Sequence, residues 1–238
     1  MGRGSETTQS FEDPLTYLPR KSVQEFAKKR VIYSAQQPSD SLYVVILGRV
    51  KITTVSNDGG ETISRIVNAE GLFGESCLIG SQARLETATA LDAATLMSWT
   101  RAEIESHIER EPRLGIALSQ HLVRKCLELQ GRIESMAVHK TPERVMLALI
   151  QLGTTLGTPT GDGYTRIASL THHTIAEYVG TSREIVTFQM NRLRRKGLLR
   201  YSRKFIDILP QALHQALAEQ GVQATPPGKP RHMTGRPL

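Results

Sequence analysis

Ser182-Arg183-Glu184 opens a stretch whose side chains suit the edges of nucleic-acid bases. Arginine donates in bidentate fashion to guanine O6 and N7, and glutamate accepts from cytosine N4. Thr187, Phe188 and Asn191 follow at helical spacing and add a hydroxyl, an aromatic ring and an amide to that face. Arg192, Arg194, Arg195 and Lys196 crowd behind them, a charge pattern suited to phosphates. Val186, Met190 and Leu193 recur at i, i+4 and i+7 on the opposite side, a stripe that has to be buried.

A preceding short helix is predicted from Thr171, a good N-cap, with Ile175, Ala176 and Val179 on its apolar face. Gly180 stands where a helix end favours a left-handed residue, Ser182 caps the second helix, and Lys196-Gly197 closes it. Two short helices joined by so tight a turn, the second long and basic, predict a helix-turn-helix that lays its second helix in the major groove of double-stranded DNA. Thr171 and Ser182, together with the N–H groups at the helix starts, are candidate phosphate ligands, and Thr187 is a candidate for a base or a phosphate. His172 and His173 suit a phosphate better than a metal, because no third ligand is spaced with them. A plain α-hairpin with a solvated charged face is the competing reading; the glycine turn and the row of base-reading groups argue against it.

Elements that would position this motif flank it. Leu198–Arg200 and Phe205–Ile208 surround Tyr201-Ser202-Arg203-Lys204 and read as a two-stranded wing, with a short helix over 210–220. Upstream, a helix is expected from Pro142 to about Leu156 with Val145, Leu149 and Leu152 inside, then a Gly- and Pro-rich loop from Thr158 to Gly163 and a short strand from Tyr164 to Ile167. Residues 101–110 read as a helix, and Pro112 opens a longer one reaching about Val138. Leu122, Cys126, Leu129, Ile133 and Met136 fall at intervals of 4, 3, 4 and 3, a heptad seam that suggests a homodimer through a two-stranded coiled coil; a helix packed on its own domain gives a similar stripe, and at this length one face can meet the barrel and another a partner subunit. Lys140-Thr141-Pro142 marks a hinge. Between Val31 and Trp99 the pattern is short β-rich runs (31–33, 42–47, 50–55, 62–67 and 88–99) with a hairpin signal at Asn57-Asp58-Gly59-Gly60, which suggests a small sandwich or barrel.

Composition bounds the function. The 238 residues carry a formal net charge of +7, which favours a polyanionic partner. No apolar run is long enough to span a bilayer and the first residues lack the core of a signal peptide, so no membrane partner and a cytoplasmic location are expected. The two cysteines, Cys77 and Cys126, are then expected to be reduced, and two thiols cannot alone ligate an iron–sulfur cluster. Cys77 reads as a small buried hydrophobe and Cys126 as part of the helical seam. Residues 31–99 contain no histidine, against a metal-dependent jelly-roll enzyme, and neither a nucleotide-triphosphate loop nor a nucleophile elbow is present. The expectation is a protein that is not an enzyme and has no metal site. A nucleoid protein without sequence preference is a third class, which a base-specific footprint would separate.

Taken together, a β-rich N-terminal region, a long dimer helix and a winged helix-turn-helix resemble the CRP/FNR family of bacterial transcription regulators over roughly residues 15–210. Asp40 to Lys51 is similar to the family's strand, glycine turn and strand; Gly71-Leu72-Phe73-Gly74-Glu75 looks like the start of its phosphate-binding cassette; and Ile175 to Glu184 resembles its DNA-reading signature. The resemblance implies an α+β fold: a double-stranded β-helix (jelly-roll-like barrel) sensor domain over 15–110, a dimerisation helix and hinge over 111–139, and a winged helix-turn-helix over 140–212. Four prolines, three glycines and several basic residues from Gly221 on predict a disordered basic tail over 221–238. The resemblance also implies that Arg183 and Glu184 contact bases of a palindromic site. Phe188 stands where the best-known member has a second arginine, so the half-site should depart from TGTGA at that base. RNA polymerase is an implied partner.

For the barrel, the resemblance implies an effector site at Gly74, Glu75, Arg84, Leu85, Leu129 and Gln130. Glu75 matches the glutamate that takes the ribose hydroxyl, and Arg84 aligns with the phosphate arginine once one residue is deleted from the loop before it. Leu85 stands where cAMP binders place a serine or threonine, and Leu129 where small hydroxyl residues meet adenine. An apolar Leu129 cannot make those hydrogen bonds. A small effector other than cAMP, cAMP itself, and no ligand all stay open, and no cofactor is assigned.

Overall fold

In the computed structural model, residues 11–55, 59–80 and 83–222 are described. Asn57 and Asp58 of the hairpin signal, and the basic tail beyond residue 222, lie outside them. In chain order the elements are β1 (Gln24–Phe26), β2 (Val31–Tyr33), β3 (Ser41–Leu47), β4 (Val50–Val55), β5 (Glu61–Val67), β6 (Leu72–Phe73), β7 (Thr87–Ala90), β8 (Ala94–Thr100), α1 (Arg101–Arg110), α2 (Arg113–Val138), α3 (Thr141–Leu156), β9 (Gly157–Pro159), β10 (Thr165–Ala168), α4 (His172–Val179), α5 (Arg183–Arg195), β11 (Leu199–Tyr201), β12 (Phe205–Ile208) and α6 (Pro210–Ala218).

The chain divides into two compact units, residues 1–50 with 69–134, and residues 51–68 with 135–238. The fold is α+β. Its N-terminal strands form two four-stranded sheets, β1-β8-β3-β6 and β2-β7-β4-β5, and among the described residues their hydrogen bonds do not close into a ring. The run expected over 88–99 is two strands. Leu91-Asp92-Ala93 breaks it, held where Arg49 O accepts the Leu91 N–H (2.8 Å) and Arg49 Nε donates to Asp92 (2.5 Å). β7 and β8 consequently fall in different sheets. In the first unit, Leu42, Val44, Leu72, Cys77 and Trp99 pack with Ile104 of α1 and with Leu114 and Leu118 of α2. Thr100 caps α1, and Glu103 closes the reciprocal capping box.

Beyond Leu118, α2 buries no further residue, and its apolar side chains Val123, Leu127, Ile133 and Met136 stay exposed. α2 ends at Val138, and Glu143 accepts the Lys140 N–H (2.8 Å) to start α3. In the second unit Val145, Leu149 and Leu152 of α3 are buried, as are Ile167, Ile206 and Ile208 of the sheet β11-β12-β10-β9. The loop expected from Thr158 is in part a strand: β9 pairs antiparallel with β10, Pro159 opposite Thr165. Proline is tolerated there because β9 is the sheet edge, where a missing N–H breaks no ladder.

Candidate nucleic-acid interface

α4 and α5 form the helix pair that the motif predicts. Thr171 Oγ1 accepts from the Thr174 N–H (3.0 Å), and Ser182 Oγ accepts from the Ile185 N–H (3.3 Å). Between them Gly180 has φ +73°, a conformation that costs an L side chain energy and glycine little. Arg144 of α3 donates to the carbonyls of Val179 and Gly180, which α4 leaves without helical partners. Spacing along the chain gives no signal for that arginine.

Val186, Met190 and Leu193 of α5 are buried, as their period requires. Arg183 and Glu184 are exposed, and Phe188 is 60% exposed, a large apolar ring left in solvent. The Glu184 carboxyl is held below its ordinary pKa, first by its own backbone N–H and then by the Ser182 hydroxyl and Arg183. It is therefore an acceptor at neutral pH.

Thr187 and Asn191 are only partly exposed, and each is already engaged. Thr187 Oγ1 donates to Arg183 O (2.8 Å) and lies 2.9 Å from His172 Nδ1. Tyr201 Oη donates to Asn191 Oδ1 (3.0 Å), and the Tyr201 ring meets His172 edge-on at 5.4 Å. Thr171, His172, Ser202 and Arg203 stand around an open cleft of ≈ 410 Å³ between the start of α4 and the wing turn. The wing is braced by the buried Asp207, which accepts from Arg166 (2.7 and 2.8 Å) and from Arg200 (2.9 Å).

The cassette lies in the first unit. Gly74 has φ +83° and precedes a short 3-10 turn, Glu75–Ile79. Arg84 is 2% exposed; it donates from Nη1 to Gly74 O (2.9 Å) and to Ser76 Oγ (3.3 Å), and from Nη2 to Ser41 O (2.6 Å). A Cβ on Gly74 would stand 2.9 Å from that Nη1, so the close approach needs glycine. The guanidinium also lies 4.1 Å from the Tyr33 ring centroid, and its buried Nε has no hydrogen-bond partner. The Glu75 carboxylate is held by two side chains of α2: Lys125 Nζ at 2.8 Å and His121 Nε2 at 3.3 Å. Sequence reading missed both; their i, i+4 spacing on one face was the available signal. Leu85 is 82% exposed and Leu129 is exposed on α2, while the Gln130 amide donates to Glu134 one turn on (3.2 Å). Cys77 is buried, and burial lifts its thiol pKa to about 11.

Comparison with known proteins agrees with this geometry. The cyclic nucleotide-binding domain family matches residues 23–111, and the Crp-like helix-turn-helix domain family matches residues 143–216. The chain is 32% identical to the transcriptional regulator SdrP of Thermus thermophilus, over 76% of this chain and 86% of that protein. It is 28% identical to the CRP-like cAMP-activated global transcriptional regulator of Mycobacterium tuberculosis, over 76% and 81% of the two chains. A solved transcriptional regulator of the CRP/FNR family from Thermus thermophilus superposes with a TM-score of 0.67 at 30% identity, covering 83% of this chain and 98% of that one. No helix among the described residues is long and apolar enough to cross a membrane.

Proposed function

The chain belongs to the CRP/FNR family of transcription regulators, and on that premise we propose that it acts as a homodimer on a palindromic DNA site in the cytoplasm, with RNA polymerase as a further partner. The observation that carries this reading is the two-sidedness of α5. Val186, Met190 and Leu193 are buried, while Arg183, Glu184 and Phe188 stand in solvent on the other side. Arg183 reads a guanine, Glu184 a cytosine, and Phe188 packs on a thymine methyl. Thr171, Ser182 and the N–H groups behind them take phosphates. Two copies joined along the exposed apolar side of α2 place their motifs about one helical turn of DNA apart.

Selection from randomised duplexes with the full chain tests this reading. The expected product is an inverted repeat, and Arg183→Ala loses about 1–3 kcal/mol on the selected site and relaxes one base position. An unchanged motif in that variant would remove Arg183 from the interface.

A second reading concerns the sensor domain. One related regulator is described as cAMP-activated, but here the Arg84 guanidinium is spent on carbonyls of its own chain and Glu75 on Lys125. These contacts, with Leu85 and Leu129 in place of hydroxyl residues, favour a regulator that answers to a different small effector or to none. Calorimetric titration with cAMP and cGMP should give no heat of binding; micromolar affinity for either would overturn this part.

A further inference from the structure

Thr187 and Asn191 face the same way as the base-reading groups, yet their side chains hydrogen-bond to Arg183 O, to α4 and to β11. Thr187 has one hydroxyl proton, and it goes to Arg183 O at 2.8 Å. The 2.9 Å contact with His172 must then run the other way, with His172 Nδ1 carrying the hydrogen and Thr187 Oγ1 accepting. On the next turn, Asn191 Oδ1 accepts from Tyr201 Oη at 3.0 Å. Reading adenine would require the same amide to turn Oδ1 to N6 and Nδ2 to N7 together, whereas the Tyr201 bond orients Oδ1 toward the wing. The Tyr201 ring in turn lies edge-on against His172, so the two bonds share one support built from the start of α4 and from β11.

Arg183, Thr187 and Asn191 form one i, i+4, i+8 row along α5; Glu184 and Phe188 form the row beside it. The first row borders α4 and the wing strand through the contacts above. The second is left to solvent. Resting on the DNA-reading role proposed above, we propose that His172 and Tyr201 are positioning residues that hold Thr187 and Asn191 away from the bases. Direct readout is thereby confined to Arg183, Glu184 and Phe188. Burial and the neighbouring Arg183 hold the His172 pKa below its ordinary value, in keeping with a neutral ring whose single proton sits on Nδ1.

The experiment uses the full chain, randomised-duplex selection, and affinity measurements on the selected site and on single-base variants of it. Thr187→Val, Asn191→Ala and Tyr201→Phe each remove one side of a bond. Each should weaken binding about two- to twelvefold, by the same factor on every duplex, and leave the selected motif unchanged. Arg183→Ala, by contrast, should alter the motif. His172→Asn keeps an N–H donor near the Nδ1 position but loses the ring, so it should weaken binding less than His172→Phe, which keeps an aromatic ring without that donor and should match Thr187→Val. The pair His172→Phe with Thr187→Val should be non-additive, since either one alone breaks the same bond.

A shifted base preference in Thr187→Val or Asn191→Ala, or a His172→Asn variant as weak as His172→Phe, overturns this inference alone. A parent chain that selects no motif overturns the DNA-reading role and this inference with it.

Discussion

Lys125 Nζ lies 2.8 Å from Glu75 Oε2, so the carboxylate that would meet a ribose hydroxyl already holds an ammonium from its own chain. The Glu75 side chain is 6% exposed and that of Lys125 24%. A buried carboxylate deprived of its cation keeps its desolvation cost. Lys125→Met should lower unfolding stability by roughly 1–3 kcal/mol, short of the full cost of orphaning a buried charge because His121 Nε2 still lies 3.3 Å from the carboxylate and the ion pair was partly solvated on its Lys125 side. Adding Glu75→Gln should return much of that loss. Urea titrations of the single and double variants measure both, and a fully additive pair would show the contact to be inert.

Acid should unfold the winged unit through Asp207. Hydrogen bonds from Arg166, and then from Arg200, outweigh desolvation and hold this carboxyl below its ordinary pKa. A group depressed on folding contributes stability that is fully present above its unfolded value, about 3.9, and that is lost as pH falls through the folded one. Denaturation midpoints should therefore hold steady from neutral pH to about pH 5 and fall below about pH 4. Asp207→Asn should be less stable at neutral pH and show a shallower acid limb. An equally steep limb in that variant would assign the acid sensitivity elsewhere.

The thiols offer a check on the proposed dimer. Cys77 is buried with its pKa raised to about 11, so alkylating reagents near neutral pH should leave it untouched in the folded chain. Cys126 is exposed and shares the heptad spacing of Leu122 and Leu129. In a parallel pair of α2 helices, symmetry-related seam residues come within disulfide reach, about 6 Å between Cα atoms. Mild oxidation should give a covalent dimer that Cys126→Ser abolishes and Cys77→Ser does not. A monomer band throughout, with Cys126 freely alkylated, would argue against this seam.

Phe188 should set one base. Replacing it by arginine supplies a bidentate guanine donor where an apolar ring stood. Selection with Phe188→Arg should move one position of each half-site to guanine, with discrimination of about 1–3 kcal/mol. An unaltered preference would place that ring outside the groove.

Much of this was legible in the chain because helix ends and stripes are local. The caps Thr171 and Ser182, the left-handed Gly180 and the buried Val186, Met190 and Leu193 all follow from spacing within about twenty residues. β1 and β6 were not legible: Gln24-Glu25-Phe26 is mostly polar, unlike the equally short Val31-Ile32-Tyr33, and β6 is two residues long; both exist because β8 and β3 lend them hydrogen bonds. The same holds for the site. Glu75 and Arg84 came from the family resemblance, and the Lys125 ammonium and the Ser41 carbonyl that engage them lie some 50 and 43 positions away. The i, i+4 spacing of His121 and Lys125 marks them as a pair on one helix face, but which carboxylate they meet depends on how the sheets fold.

Past its first turns, α2 leaves its apolar side chains uncovered. In the homodimer proposed above a second copy covers that surface, and such an assembly would follow mass action. Output at a promoter would then track how much of this polypeptide the cell makes, and the rate of its own synthesis would serve as an input even with the sensor domain silent.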